Sequence, residues 1–147
     1  MRQLYFDKDN NFWIGTRNAL YRYANDKLQE FNIEGVYEYA NVLTMLEDRE
    51  GNLWFGTGSG LTQLSDAKVI NETFRDGLPA RSINAIIEDK DGTRWVGATG
   101  GGLLANYSDG THKLFTKKDG AIDDIVLNMG LDSKNNLCNI FSLSGFR

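Results

Sequence analysis

Histidine, cysteine and proline each occur once in these 147 residues, and each scarcity excludes something. The lone Cys138 rules out an internal disulfide and a multi-cysteine zinc site. The lone His112 removes most metal constellations and leaves the serines, Ser144 included, without a choice of histidine partners for nucleophilic catalysis. A single proline, Pro79, against 16 glycines points to many tight turns and not to a low-complexity linker. Long apolar runs are missing too. No stretch of 18 residues reads as a membrane helix, so no membrane contact is expected, and no basic-then-apolar leader opens the sequence. An exported protein would carry its signal outside these residues. Lys and Arg (16) are interspersed with Asp and Glu (20) and never cluster, which leaves no footprint for a phosphate backbone. Nucleic acid is not an expected partner.

What the sequence does have is self-similarity. Trp13, Trp54 and Trp95 are spaced by 41 residues, and Asp7, Asp48 and Asp89 and Gly15, Gly56 and Gly97 keep the same interval. A fixed period near 40 is the mark of a repeat architecture and has to be settled before any single motif is interpreted. In register the windows read FDKDNNFWIGTRNALYRY, LEDREGNLWFGTGSGLTQL and IEDKDGTRWVGATGGGLLANY, with a degenerate fourth, GLDSKNNLCNIFSLSGFR. In the fourth, Asp132 keeps the acidic position, Cys138 replaces the tryptophan and Ile140 the glycine. An aromatic recurs further along each unit, at Phe31, Phe74 and Phe115.

Each unit divides into four short strands. The first alternates apolar positions, over residues 41–48 and 82–89, and strict alternation places Val42 with Leu46, and Ile83 with Ile87, on one face. An Asp-led turn follows, then a strand with the Trp-x-Gly core, then a glycine turn into a third strand and a more polar fourth. No window of a dozen residues keeps helical periodicity. The expected fold class is therefore all-β, a run of four-stranded antiparallel β-propeller blades with a repeat of about 41 residues. The blades are expected at about residues 1–35, 36–77 and 78–120, with a partial, degenerate fourth over 121–147, giving a partial propeller of three and a half to four blades. A solenoid is the runner-up, disfavoured because its repeats usually include a helix or shorter coils.

The segment FRDGLPARSINAIIEDKDGTRWVGATGGGL resembles the two-component regulator propeller repeats of bacterial sensor proteins. Asp76-Gly77-Leu78-Pro79, Glu88-Asp89, Gly92, Trp95-Val96-Gly97 and Gly101-Gly102-Leu103 carry the likeness, as do Leu53-Trp54-Phe55-Gly56-Thr57 and Phe12-Trp13-Ile14-Gly15-Thr16. Ala98 departs from it in the third blade, as do Asn18-Ala19 in the first. The resemblance implies a periplasmic or extracellular sensor region of a histidine kinase or hybrid two-component protein, with carbohydrate or another small molecule as ligand and no catalytic activity. Family propellers are expected to be larger, typically seven-bladed, so an open arc either belongs to a longer protein or pairs with itself as a homodimer that completes the ring. A fragment or short gene product that pairs with itself is the expectation favoured here. Two other functions stay open: a protein-association scaffold, and an enzyme similar to the propeller lyases of cyclic peptide antibiotics.

Residues shared by every blade define architecture, so Trp13, Trp54 and Trp95 are expected to pack between blades and not to stack sugars. The Asp-led tips resemble the start of a calcium loop, but the twelfth position falls on Ser59 or Gly100, which leaves a hydrogen-bonded turn and no metal. The glycine runs at 56–60 and 100–102 have neither the helix nor the lysine of a phosphate loop, so no nucleotide or other cofactor is expected. Cys138 is expected to be a small buried hydrophobe and His112 to stand on an outer strand. Ligand candidates are the residues that differ between blades on the loops gathered at one edge: Arg17, Tyr37, Tyr39 and Arg81.

Overall fold

In a computed structural model, residues 2–31, 41–65, 68–72 and 82–141 are described. Within them the Asp-led turns and glycine turns fall between short strands too brief to be stable alone, and each group of four closes into one antiparallel meander. The first sheet comprises β1 (Gln3–Phe6), β2 (Phe12–Gly15), β3 (Leu20–Ala24) and β4 (Lys27–Phe31). The second comprises β5 (Val42–Glu47), β6 (Leu53–Thr57), β7 (Leu61–Ser65) and β8 (Lys68–Glu72). The third comprises β9 (Ile83–Glu88), β10 (Arg94–Ala98), β11 (Gly102–Asn106) and β12 (His112–Phe115). A two-stranded fourth sheet pairs β13 (Val126–Leu131) with β14 (Leu137–Phe141). In the three larger sheets strand order follows the sequence. This is a run of propeller blades, all-β as expected. Phe31 and Phe115 end their fourth strands; Phe74 lies outside the described residues. No helix of the described residues is long and apolar enough to cross a membrane.

The cores lie between sheets. Trp13 and Leu20 of the first sheet are buried with Val42, Met45, Leu53 and Phe55 of the second. Trp54 and Leu61 of the second are buried with Ile83, Ile86, Val96, Ala98 and Leu104 of the third. One face of each blade therefore carries the Trp-x-Gly residues and the opposite face covers the blade before it. Trp13 and Trp54 are buried between blades, and Trp13 meets Phe55 of the next blade at 5.7 Å between ring centroids; Trp95 is half-buried.

Strict alternation along the first strands is broken. Val42 pairs with Thr57 but Thr44 with Gly56, Ile83 with Ala98 but Ala85 with Gly97, and Val126 with Phe141 but Asn128 with Ile140. Each is a β-bulge with one extra residue (Leu43, Asn84 or Leu127), and beyond it every side chain changes face. Val42 therefore shares its face with Met45, and Ile83 with Ile86; the expected partners Leu46 and Ile87 point the other way, opposite Trp54 and Trp95.

The bulge aims a branched side chain at the recurring glycine. A Cβ on Gly15 would lie 2.8 Å from Val42 Cγ1, one on Gly56 2.8 Å from Ile83 Cγ2, and one on Gly97 2.6 Å from Val126 Cγ1. The Trp-x-Gly glycine is thus required for space: the next blade occupies the volume where a side chain would stand. Cys138 corrects another expectation. It is exposed, because among the described residues no further sheet covers the fourth one as the second covers Trp13.

Candidate functional site

Antiparallel order brings the β2–β3, β6–β7 and β10–β11 turns, together with the entries into β5, β9 and β13, to one edge of the blades. The backbone ties these segments together. Val42 N–H donates to Thr16 O (3.1 Å) across the first two blades, Gly58 N–H to Asn41 O (3.1 Å), Thr99 N–H to Ser82 O (3.0 Å) and Gly102 N–H to Asp124 O (2.8 Å). Asn84, the bulge residue of β9, donates through Nδ2 to Thr99 Oγ1 (2.6 Å) and to Val126 O in the next sheet (2.8 Å). Lys117 closes the last connection, its N–H on Asp124 Oδ1 (2.7 Å) and its ammonium on Asp123 Oδ1 (3.2 Å). This edge is built and fixed by hydrogen bonds.

Of the four candidate ligand residues, Arg17 is described and stands exposed in the β2–β3 turn. Thr16 holds that turn, its hydroxyl donating to Ala19 O (2.8 Å) and accepting from Ala19 N–H (2.9 Å). Tyr37, Tyr39 and Arg81 lie outside the described residues. The edge also holds a polar atom that residue-by-residue reading missed: Asn41 Oδ1 is buried with no hydrogen-bond partner. Asn41 has the period of Ser82, which marks the position, but only the fold shows it wedged between two turns.

The opposite edge is occupied by structural chemistry. Each repeat Asp accepts from the indole of the tryptophan six residues on: Trp13 Nε1 to Asp7 (2.8 Å), Trp54 Nε1 to Asp48 (2.8 Å) and Trp95 Nε1 to Asp89 (2.9 Å). Its other oxygen accepts the backbone N–H groups two and four residues on, as at Glu50 (3.0 Å) and Asn52 (2.9 Å) for Asp48. Burial pushes these carboxyls up, but the indole and turn donors outweigh it and hold Asp7, Asp48 and Asp89 below the ordinary carboxylate range. A carboxylate so committed to N–H donors is a turn hub.

Neighbouring turns are linked by a periodic rung. Lys8 N–H donates to Glu47 Oε2 (2.7 Å), Arg49 Nε to Glu88 Oε1 (2.6 Å), and Arg49 Nη2 to the carbonyls of Asp89 (2.8 Å) and Lys90 (3.0 Å). In the fourth sheet Leu131 stands at the glutamate position, and Lys90 N–H turns instead to Asn135 Oδ1 (3.0 Å). His112 opens β12, an outermost strand, as expected. A cleft of about 400 Å³ beside Trp95 and Phe115, walled by Leu103, Ile122 and Leu137, lies between the third and fourth sheets.

The arrangement defines a segment of a β-propeller with one edge of linked β2–β3-type turns and strand entries and an opposite edge locked by Asp-led turns. Residues 1–18 and 37–59 match the model of the two component regulator propeller family. These stretches are similar to two component regulator propeller repeats, and they contain the Phe12–Thr16 and Leu53–Thr57 motifs. The fold is that of the extracellular domain of the hybrid two component system BT3049 from B. thetaiotaomicron, at 23% identity and TM-score 0.78 over 92% of this chain and 19% of that one. The extracellular domain of BT4673 from the same organism is similar at 24% identity and TM-score 0.78, over 95% and 20%. A streptogramin B lyase is similar at 18% identity and TM-score 0.71, over 94% of this chain and 47% of that one. The chain thus spans about a fifth of the length of the two extracellular domains. No curated protein matches it.

Proposed function

We propose that this chain is a non-catalytic, ligand-sensing propeller segment of an extracellular or periplasmic two component signalling protein, and that its ligand is a carbohydrate held at the turn edge by Arg17, Tyr37, Tyr39 and Arg81. The observation that carries the reading is the match of residues 1–18 and 37–59 to the two component regulator propeller family. Likeness in fold to extracellular domains of hybrid systems supports it. Tyr and Arg at loop positions that differ between blades suit sugars, since each offers a flat apolar surface and a polar tip. The lyase reading draws less support: the single histidine stands on an outermost strand, away from the edge that carries Asn41, Arg17 and Asn84.

Calorimetric titration of the chain with a panel of plant and host oligosaccharides tests the proposal. Binding should be seen for one class of glycan, and Arg17→Ala or Tyr39→Ala should weaken it about tenfold, the loss of roughly 1.4 kcal/mol. A folded chain that binds none of the panel overturns the carbohydrate assignment.

A further inference from the structure

The space beside each buried tryptophan is filled differently. Between the second and third blades, Arg94 enters from the third, lies with its guanidinium carbon 3.8 Å from the Trp54 ring centroid and ends 3.5 Å from Asp48 Oδ2. Between the first and second blades the same register position is Leu53, packed in the core with Trp13. Leucine ends at its methyl groups, and a cleft of about 390 Å³ remains. Trp13, Phe31 and Leu64 wall it, and Asp7, Asp9 and Glu47 line it toward the Asp-led turns. A neighbouring cleft of about 490 Å³, toward the β3–β4 hairpin, is lined by Arg22, Asn25, Lys27 and Gln29 and by no carboxylate. Arg22 lines both.

The repeat shows Arg22 to be peculiar to the first blade. Pairing sets Trp13 opposite Arg22 and Arg22 opposite Gln29; the second blade has Gln63 and Ile70 in those places, and the third Ala105 and Lys113. Arg22 is half-buried, and its Nε is buried without a hydrogen-bond partner. Its guanidinium carbon lies 5.9 Å from the Trp13 ring centroid. The ion pairs of the described residues belong to Lys8, Arg49, Arg94 and Lys117, so neither Arg22 nor Lys27 has a carboxylate partner among them. A half-buried cation without a counter-ion has given up hydration and gained no partner, a cost that a bound anion recovers.

We propose that the cleft at Arg22 and Lys27 is a binding site for a small hydroxy acid, whose carboxylate is held by Arg22 with Lys27 and the Gln29 amide beside it. A planar guanidinium takes a carboxylate through two parallel N–H···O bonds, and the Lys27 ammonium adds a second positive charge. The adjoining cleft selects the rest of the ligand. Its carboxylates, Asp7, Asp9 and Glu47, repel a doubly charged anion more strongly than a singly charged one, and Asp9 is placed to accept from hydroxyl groups. A single carboxylate flanked by hydroxyls satisfies both halves. This site lies away from the β2–β3 turn that carries Arg17, and it stands whether or not that turn edge binds a carbohydrate.

Arginine Nε–H resonances of the full chain, labelled with nitrogen-15, test this, with gluconate as the probe. The resonance that disappears in Arg22→Gln is that of Arg22, and gluconate should shift it saturably in the parent. Sorbitol, the same carbon chain with a hydroxymethyl group in place of the carboxylate, should leave it unmoved, and inorganic sulfate should bind several-fold more weakly. Arg22→Gln borrows the residue of the second blade at this position, Gln63, so tryptophan fluorescence should stay that of the folded parent while calorimetry finds gluconate binding lost. Lys27→Gln, at an exposed position, should weaken binding several-fold and gives a readout independent of how Arg22→Gln folds. The proposal is overturned by the absence of a saturable shift, by an equal response to sorbitol, by sulfate binding as tight as gluconate, or by gluconate binding that survives Arg22→Gln.

Discussion

Asp48 collects more donors than a turn requires: two backbone N–H groups, the Asn52 amide and the Trp54 indole converge on one carboxylate. That convergence explains why Asp and Trp share a period, because the indole N–H would otherwise be buried without a partner. Asp48→Ala should cost at least about 2 kcal/mol in urea unfolding, the penalty of an unsatisfied buried donor with lost turn bonds, and Asp48→Asn clearly less, since it keeps an acceptor. The sign of the pH effect follows from the lowered carboxyls. Their stabilisation is fully present above the ordinary carboxylate range and is lost as pH falls through the folded-state values beneath it. Urea midpoints should therefore drop steeply below about pH 4, and less steeply in Asp48→Asn. Gly56 fails differently. Its missing Cβ would crowd Ile83, including Ile83 O at 2.9 Å, so Gly56→Ala should lower stability by about 2 kcal/mol through overpacking against backbone that cannot swing aside.

At the scale of elements, the strands and turns were legible because apolar pattern, Asp-led turns and glycines repeat three times over, and agreement between repeats makes each assignment firmer than one window allows. The facing of β5 and β9 was not legible. A bulge adds one residue without altering composition, so Val42 with Leu46 looks as regular as Val42 with Met45 until the pairing register is known. The rung from Lys8 to Glu47 and from Arg49 to Glu88 lay in plain view as a 41-residue period, but its meaning depends on adjacent turns being neighbours in space. The edge expected to carry ligand residues was legible as a set of turns, and Arg17 is found in one of them; Tyr37, Tyr39 and Arg81 fall where the chain is not described. Arg94 offers a test of what covers a tryptophan. It stacks on Trp54 and reaches Asp48 Oδ2 at 3.5 Å, yet its Nε is buried without a partner. Leucine does the same job at position 53. Arg94→Leu should stay within about 1 kcal/mol of the parent, the lost cation–π contact being offset by removal of the unpaired donor, whereas Arg94→Ala should uncover Trp54 and shift its fluorescence to longer wavelength.

At the scale of the whole molecule, stability is arranged along the row of blades, because each sheet owes its core to its neighbour and not to its own fold. Such a chain behaves as a one-dimensional array in which every interface adds a nearest-neighbour contribution. The second blade has two of these interfaces: its covering side closes over Trp13 and its own Trp54 is closed by the third blade. The first blade has one, and its other face holds the exposed row of Phe6, Tyr23 and Leu28. The fourth sheet contributes Val126 at Gly97, but its second strand leaves Cys138 exposed. Backbone hydrogen bonds should therefore open in sequence from both ends inward. Amide hydrogen exchange of the intact chain, followed by mass spectrometry, should show slowest exchange in β5, β6, β9 and β10, and faster exchange in β1, β4 and β14, with the outer fourth strands faster than the second strands of the same sheet. Protection that is uniform across the first three sheets would mean that the array opens as one unit, and the nearest-neighbour account of its stability would have to be abandoned.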